Sequence, residues 1–542
     1  MSTPPVPARR RKLWGWGYEG ERASASAVAF AESALSALLG GGPLERREPP
    51  SEDAIQLAPG RALPPASLAA FSDTSTRARA LHALGRSYRD LARATRGVFP
   101  HPPDAVLFPR TEAEVAQVLE AASSARVAVV PFGGGTSVSG GVEPIVGGAY
   151  RGAWSLDLTA MSGVVEIDHE SLAARVLAGT LGPDLEHALR PSGLSLRHFP
   201  QSFEMSTLGG WIATRAGGHF ATVYTHIDDL VEAIRVVTPS GTLATRRLPG
   251  SGAGPQPERM FVGSEGALGI ITEAWVRLFQ RPRHRASATL RFADFMQGAR
   301  AVRAIVQSGL QPANARLLDG PEAIMSGTGA GDAALLLLAF ESAELSQDAL
   351  LAQAIDVARA HGAALPEGAV RSTETDGAGR EATADAYKGA FFRAPYLRDE
   401  LVLRGIFVET YETAVPWSGL QALDAAVRAA VASLELGPSF VAARLTHVYR
   451  DGAAPYYTVI CRAPDRGEVA LADRVKDAVT RAIVEAGGTS THHHAVGRDV
   501  VPYYERERPD LFARALEAAK RALDPNGVMN PGALLRDPSA AR

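Results

Sequence analysis

The sequence predicts an α+β fold assembled from more than one packed unit, on three observations. A chain of 542 residues exceeds what one ordinary hydrophobic core organises, so two or three units are expected. Its apolar periodicity switches between helical and strand-like spacing without the regular alternation of a doubly wound parallel sheet. Turn-forming residues cluster between the periodic segments, and in one place three consecutive glycines, Gly133, Gly134 and Gly135, directly follow a strand-like run.

Residues 1–100 read as an extension that is helical in part. Ser24 to Leu39 has helical spacing and is ended by Gly40-Gly41-Gly42-Pro43, and the Pro- and charge-rich stretch 44–66 reads as surface loop. A first folded unit is expected over 101–282. There Thr111 precedes Glu112 and Glu114 as an N-cap with an acidic first turn. Val115, Val118, Leu119 and Ala122 mark the buried face of that helix. Strands are expected at Arg126–Pro131, Trp154–Leu158, Val164–Ile167, Arg175–Ala178 and Leu230–Thr238, with a helix at Pro183–Leu189 that carries Pro in its first turn. A second unit is expected over 283–470, containing the buried-strand run Leu335–Phe340 and a segment, Ala384 to Phe407, that mixes aromatic and basic residues. The C-terminal segment 471–542 has a helix near Pro509–Leu523 followed by the turn Asp524-Pro525-Asn526-Gly527.

Composition narrows the function classes. With 46% hydrophobic and 21% charged residues the chain suits a soluble globular protein. A formal net charge of −3 and no basic stripe beyond Arg9, Arg10, Arg11 and Lys12 argue against nucleic acid as partner. The single cysteine, Cys461, excludes an intramolecular disulfide framework and a cysteine-based zinc site, which points to a reducing compartment. No stretch approaches the roughly 20 apolar residues a membrane span requires, the N-terminal run lacks a secretory apolar core, and Ser539-Ala540-Ala541-Arg542 is no peroxisomal address. A cytoplasmic location is expected, with contact at the inner membrane face as an extension of it. Positive charge carried almost wholly by Arg reads as the coding bias of a GC-rich, bacterial genome.

A strand that delivers Pro131, Phe132, Gly133, Gly134, Gly135, Thr136 and Ser137 suits a pyrophosphate. Glycine lets backbone N–H groups approach phosphate oxygens and adopts positive φ without penalty, and Thr136, Ser137 and Ser139 add hydroxyl donors. A plain glycine-rich turn is the competing reading of this loop alone. No Gly-Lys-Ser/Thr follows, so it is not a P-loop, and the glycine spacing is not that of a Rossmann fingerprint.

Three more segments follow. They are Gln201, Ser202, Phe203, Glu204, Met205, Ser206 and Thr207 running into Gly209-Gly210-Trp211; Thr214, Arg215, Ala216 and Gly217; and Glu265, Gly266, Ala267, Leu268, Gly269, Ile270 and Ile271. With the glycine loop they resemble, in order and separation, the FAD-binding half of the vanillyl-alcohol-oxidase superfamily. The resemblance implies a two-subdomain FAD-binding domain of the PCMH type, an α/β cap domain with an antiparallel sheet, and a C-terminal segment returning to the FAD domain. It also implies that the first loop cradles the pyrophosphate and the later segments enclose ribityl and isoalloxazine. No histidine stands at a familiar flavin-linking position in these loops, so noncovalent FAD is expected.

Five further places resemble the ether-lipid branch of that superfamily, the alkyldihydroxyacetonephosphate synthase family, so that the likeness runs from about residue 10 to the C-terminus. These are Leu13-Trp14-Gly15-Trp16-Gly17-Tyr18, the stretch around Arg316, Tyr396-Leu397-Arg398-Asp399 with the following Glu409–Trp417, the stretch from Tyr449 to Tyr457, and Gly487 to Gly497 with His492, His493 and His494. The resemblance implies exchange of the acyl chain of 1-acyl-dihydroxyacetone phosphate for a long-chain fatty alcohol, through a flavin N5 adduct and without net oxidation. It assigns the phosphate to Arg398, proton transfer to Tyr456, support to His493 and His494, a sensitive cap position to Arg316, and leaves His492 the least defined. The guanidinium fork suits a phosphate, and a tyrosine with an ordinary pKa of about 10 needs a cationic or hydrogen-bonding neighbourhood to act as a base.

Each motif alone has a plainer reading: a solvated histidine loop, an Arg398–Asp399 surface ion pair, Tyr456 and Tyr457 as core strand residues, Trp14 and Trp16 as packing. Adjacent histidines in an extended chain point to opposite faces and make a poor metal site, so no metal is expected. Three places depart from the family pattern: the continuation Ser139-Gly140-Gly141 of the first loop, Gln201, and Ala495 where the family has Gly; a methyl there is tolerated if φ is negative. The rival functions are an FAD-dependent 2-hydroxy-acid dehydrogenase of the lactate or glycolate type and a catalytically silent flavoprotein. Expected partners are the two lipid substrates, a peripheral membrane surface that residues 9–18 would meet unless their tryptophans pack on the enzyme, and a second copy of the chain.

Overall fold

The computed structural model describes every residue except 1–8, 41, 43, 225, 330, 375–381, 538 and 540–542. Helix α1 (Ala25–Leu38) is capped by Ser24, and α2 (Tyr88–Ala94) by a Ser87/Asp90 capping box. The first unit opens with β1 (Ala105–Leu107), α3 (Glu112–Ala125), β2 (Val127–Phe132) and β3 (Gly152–Asp157). Thr111 caps α3 in a reciprocal box with Glu114, and Val115, Val118, Leu119 and Ala122 are its buried face, as their spacing requires. β2 starts one residue later than the sequence suggests because Arg126 ends α3 in the left-handed region at φ 54°. β1 and β2 both flank β3 in parallel, with Ser72–Asp73 antiparallel at the outer edge.

A second, antiparallel sheet of the same unit is built from β4 (Val164–Asp168), β5 (Ala173–Leu177), β6 (Val231–Thr238), β7 (Gly241–Ala244) and β8 (Ile270–Arg277), in the order β4-β5-β8-β6-β7. The short helix α4 (Leu208–Thr214), capped by Thr207, packs Leu208, Trp211 and Ile212 into its core. The strand Val231–Thr238 is buried along most of its length, with only Glu232 and Arg235 half-buried, because it lies inside the sheet between β8 and β7.

The rest of the chain builds one large antiparallel sheet. Its strands are β9 (His284–Phe292), β10 (Asn314–Leu318), β11 (Ala334–Ser342), β12 (Val370–Glu374), β13 (Ile406–Glu412), β14 (Ser439–Val448) and β15 (Gly452–Arg462), in the order β12-β9-β11-β10-β14-β15-β13, and Val415–Pro416 adds to the β15 edge. One face is covered by α5 (Phe295–Gln307), α6 (Asp348–Ala360), α8 (Leu420–Ala432) and α9 (Glu468–Glu485), which bury Leu317, Phe407, Tyr457, Val427 and Val475 in the largest core. The helix between α6 and α8, α7 (Ala382–Leu403), contains Pro395 and, with α1, packs on the opposite face around Leu401, Ile406 and Ile460. The final helix, α10, spans Asp510–Leu523.

Period-two alternation decides what the sheet offers each side. On β15, Tyr457 enters the helix-covered core while Tyr456 faces the other way, toward the flavin-type loops. The register sets Tyr456 opposite Arg444 on β14 and Glu412 on β13.

Candidate active site

One cavity of about 1430 Å³ joins the glycine loop, the inner ends of β13–β15, α7 and the underside of α1. Pro131–Ser137, Gln201, Ser202, Glu204, Ser206, Thr207, Thr214, Ala216, Gly217, Glu265, Gly266, Gly269, Ile270 and Ile271 line it. Five of the residues assigned to the cofactor stand behind this wall. Ala267, Leu268 and Met205 are buried, Phe203 stacks on Trp211, and Arg215 turns outward to an ion pair with Asp228 at 3.0 Å.

The glycines serve close approach more than unusual φ. Only Gly135 is left-handed, at φ 64°; at Gly134 a Cβ would sit 1.7 Å from the Met205 carbonyl oxygen, and at Gly133 2.3 Å from Thr207 Oγ1. Buried positive charge adjoins this loop. Arg11 donates to the Gly134 carbonyl and lies over Phe132, and Arg86 N–H donates to the Ser137 carbonyl at 2.6 Å. Burial, with Arg11 next, brings Arg86 down to about 10. A narrow glycine cradle flanked by desolvated cations fits a diphosphate, and the cavity continues from it past Ile270 to Tyr456.

At the far end, Glu412 organises the histidine loop. Its Oε1 accepts from Thr491 Oγ1 (2.6 Å) and His494 N–H (3.0 Å), its Oε2 from His492 N–H (2.7 Å) and His493 N–H (3.1 Å). Burial pushes its pKa up, but the His493 ring, then those of His494 and His492, hold it well below the carboxylate range. The loop therefore curls around one anion, and all three imidazole Nδ1 atoms lie within 3.9 Å of it. This overturns the expectation of rings on opposite faces: the segment is a nest of N–H donors, not an extended strand. His447, His492 and His493 each bring a ligand-type atom within 4.8 Å of the others. Both His447 ring nitrogens already hydrogen-bond, to Thr446 Oγ1 and the Gly218 carbonyl, so the trio is a hydrogen-bonded cluster. Burial holds His494 down to about 3 and His492 and His447 well below the histidine range, which leaves these imidazoles neutral.

Tyr456 lies between His493, at a centroid distance of 6.1 Å and nearly parallel, and His494, at 5.5 Å and edge-on. Burial raises its pKa, while Arg444, whose guanidinium carbon is 3.9 Å above the ring, and a hydrogen bond with Thr410 counter that. Arg444 is held by Glu322 at 2.5 Å. Arg316 is fully buried, bonds His219 Nδ1 at 3.1 Å and stacks on Phe391. Arg398 lines the cavity and donates to the Arg86 carbonyl at 2.7 Å. Asp399 turns away from the surface, buried, and accepts the Trp16 N–H at 2.6 Å.

That bond explains the WGWG motif. Gly15 and Gly17 have φ 76° and 84°, and a Cβ on either would strike Asp399 Oδ2 at 2.4 Å or the Tyr396 ring at 2.6 Å. The N-terminal strap buries Trp16 beside α7 and packs the half-buried Trp14 against the Ala83–Phe99 cluster. Ala495 has φ 69°, so the condition under which a methyl would be free of strain is not met there. Glu412, Arg444, Thr410, Arg86, His447, Tyr449 and His226 complete the site and were not singled out from sequence. The available signal was alternation: Val408, Thr410 and Glu412 share a face of β13, as Tyr456 and Thr458 share one of β15.

Residues 103–246 match the family of FAD binding domains and 281–534 the C-terminal domain of FAD linked oxidases. The fold and the site thus define an FAD-dependent flavoprotein, with FAD as its cofactor. The chain is 32% identical to the alkyldihydroxyacetonephosphate synthase of Trypanosoma brucei brucei, over 86% of this chain and 78% of that one, and 29% identical to the Dictyostelium discoideum synthase, over 84% and 77%. A solved alkyldihydroxyacetonephosphate synthase superposes with a TM-score of 0.80 at 25% identity, covering 96% of this chain and 98% of that one. The chain belongs to the alkyldihydroxyacetonephosphate synthase family.

Proposed function

We infer that the protein exchanges the acyl group of 1-acyl-dihydroxyacetone phosphate for a long-chain fatty alcohol, giving 1-alkyl-dihydroxyacetone phosphate and a fatty acid. The observation that carries this reading is the shape of the cavity that joins the glycine loop to Tyr456. Its polar end holds Arg398, Tyr456, His493 and His494, and its other arm runs under α1 between Phe30, Ala31, Leu35 and Leu38 and the side chains of Ile324, Met325 and Phe440. A phosphate-sized polar end and an apolar arm suit a lipid phosphate, and the arm has no use for a two- or three-carbon hydroxy acid. The glycolate oxidase subunit GlcD of Bacillus subtilis is 29% identical over 79% of this chain and 88% of its own.

Bound FAD supplies the electron-rich centre at which the exchange takes place. The chain's residues bind, orient and manage protons around it. Arg398 grips phosphate oxygens with its fork. Tyr456 Oη, between Arg444 and the His493 and His494 rings, takes and returns the proton beside the ketone. Glu412 holds the histidine loop so that the His493 and His494 rings face the reacting end. Phe30 and Leu38 are exposed at the arm's outer rim, and we place peripheral bilayer contact there, where an alkyl chain would enter. Incubation with 1-palmitoyl-dihydroxyacetone phosphate and deuterated hexadecanol tests the reading: a deuterated ether phosphate in the mass spectrum is expected, and its absence from FAD-replete protein rejects it.

A further inference from the structure

The exchange inferred above leaves a proton behind. The alcohol O–H bond breaks, the C–O bond to the acyl group breaks, the new ether C–O bond forms, and the acyl group departs as a carboxylate. One H⁺ per turnover must therefore leave a site where Tyr456 and Arg444 are both buried. Behind His493 a continuous chain of hydrogen bonds runs away from the cavity. His493 Nδ1 meets His492 Nδ1 at 2.9 Å, His492 Nε2 meets Tyr449 Oη at 2.7 Å, and Tyr449 Oη meets His226 Nε2 at 2.5 Å. The chain crosses three separate parts of the fold: the C-terminal loop, the end of β14 and the first unit.

The tautomers it requires give it a direction. His226 also bonds the Arg215 backbone in the manner that favours its charged form, that is, by donating to a carbonyl. That fixes the proton on the nitrogen away from Tyr449, so His226 Nε2 accepts from Tyr449 O–H. Tyr449 oxygen then accepts from His492 Nε2–H, and His492 Nδ1 accepts from His493 Nδ1–H, a proton that Glu412 Oε2, 3.3 Å away, also attracts. His493 Nε2 is left as the open acceptor at the cavity end. A proton arriving there displaces each successive proton by one bond, and the charge emerges on His226. Burial lowers the pKa of His226 and the His493 and Arg215 charges add to this, against Asp228, so His226 holds a proton only in passing; Arg215, ion-paired to Asp228, has a side chain 59% exposed, which puts solvent beside this end of the chain. His226 and Tyr449 are themselves partly exposed, and His447, packed against the chain, has both nitrogens engaged elsewhere.

We propose that His493, His492, Tyr449 and His226 form a proton relay that carries the proton released by alkyl exchange from the cavity to the surface. The proposal rests on the exchange reading and is tested with the FAD-loaded enzyme, 1-palmitoyl-dihydroxyacetone phosphate and hexadecanol. Ether formation is followed by mass spectrometry and proton release by an indicator dye in weak buffer. Tyr449→Phe keeps the ring and removes the one hydroxyl that joins the two halves of the chain. Its kcat is expected to fall at least tenfold in weak buffer, with FAD content and KM for the acyl substrate near wild type, and to recover progressively as imidazole is added. His226→Asn, at the outer end, is expected to show the same imidazole-dependent recovery. A wild-type kcat in Tyr449→Phe, or losses in both variants that imidazole does not relieve, would overturn the relay. Wild-type enzyme that forms no ether at all would instead remove the exchange reading and the need for an exit.

Discussion

Replacing Glu412 by Gln is the sharpest probe of how the active-site loop is held. The carboxylate accepts four hydrogen bonds at 2.6–3.1 Å, three of them from consecutive backbone N–H groups. A glutamine offers one acceptor oxygen and one N–H₂. In its better orientation the amide nitrogen faces Thr491, whose hydroxyl can turn to accept, but the His494 N–H is then left without a partner. A buried unsatisfied donor costs about 1–3 kcal/mol, and the two bonds that remain pass from charge-assisted to neutral, losing roughly 1 kcal/mol each. The loop should therefore be destabilised by about 3–5 kcal/mol while the cores on either side stay intact. Hydrogen exchange by mass spectrometry on peptides covering 489–497 should show protection falling by about two to four orders of magnitude, with peptides from β14 and β15 unchanged. Ether formation should fall with it and FAD content should not. Wild-type protection of 489–497 in Glu412→Gln would refute the view that one carboxylate folds this loop.

Other consequences are equally direct. Tyr456→Phe should abolish ether formation with the flavin spectrum retained, whereas Tyr457→Phe, whose ring is buried on the opposite face, should leave the flavin site intact; equal activity losses in both would point to packing rather than proton transfer. Ala495→Gly should raise the thermal midpoint, because a left-handed alanine costs about 1 kcal/mol or more relative to glycine; a lower midpoint would count against strain at φ 69°. His198 is buried against Trp211, and burial brings it down to about 3. Below its unfolded value of about 6.5 the unfolded chain binds a proton that the folded chain refuses, so stability falls with pH, by about 2 kcal/mol at pH 5. Urea titrations of His198→Leu should lose that part of the pH 7.5-to-5 difference; an unchanged slope would place a protonated His198 in the folded protein.

Much of the fold is legible in the sequence because local rules and tertiary packing agree there. The capping box at Thr111, the apolar face of α3, the strand before the glycines and the alternation that separates Tyr456 from Tyr457 all follow from spacing and residue chemistry. The cofactor loops were legible as motifs, although which of their residues face the cavity was not: Met205, Ala267 and Leu268 are motif residues whose work is packing. What stayed hidden has one physical cause. Glu412, Arg444, Tyr449 and His226 meet the histidine loop only through strand register and the docking of three distant segments, and no local pattern records such meetings. Ala495 shows the reverse case, in which a residue departing from its family's pattern marks a backbone conformation that composition could not disclose. The WGWG strap reads as membrane contact or as packing, because both place tryptophan beside basic residues; the Trp16 side chain is packed, at 4% exposure.

The central claim is alkyl exchange without net oxidation in one flavin-bearing cavity, and it is tested most directly by turnover under strict anaerobiosis with no external electron acceptor. FAD-loaded enzyme, with its flavin reduced beforehand, is mixed with 1-palmitoyl-dihydroxyacetone phosphate and deuterated hexadecanol, and ether phosphate and palmitate are counted against flavin. The account predicts many turnovers per flavin, with one palmitate and one proton released for each ether formed. No ether beyond a single equivalent, together with catalytic oxidation of lactate or glycolate once a dye acceptor is supplied, would contradict it.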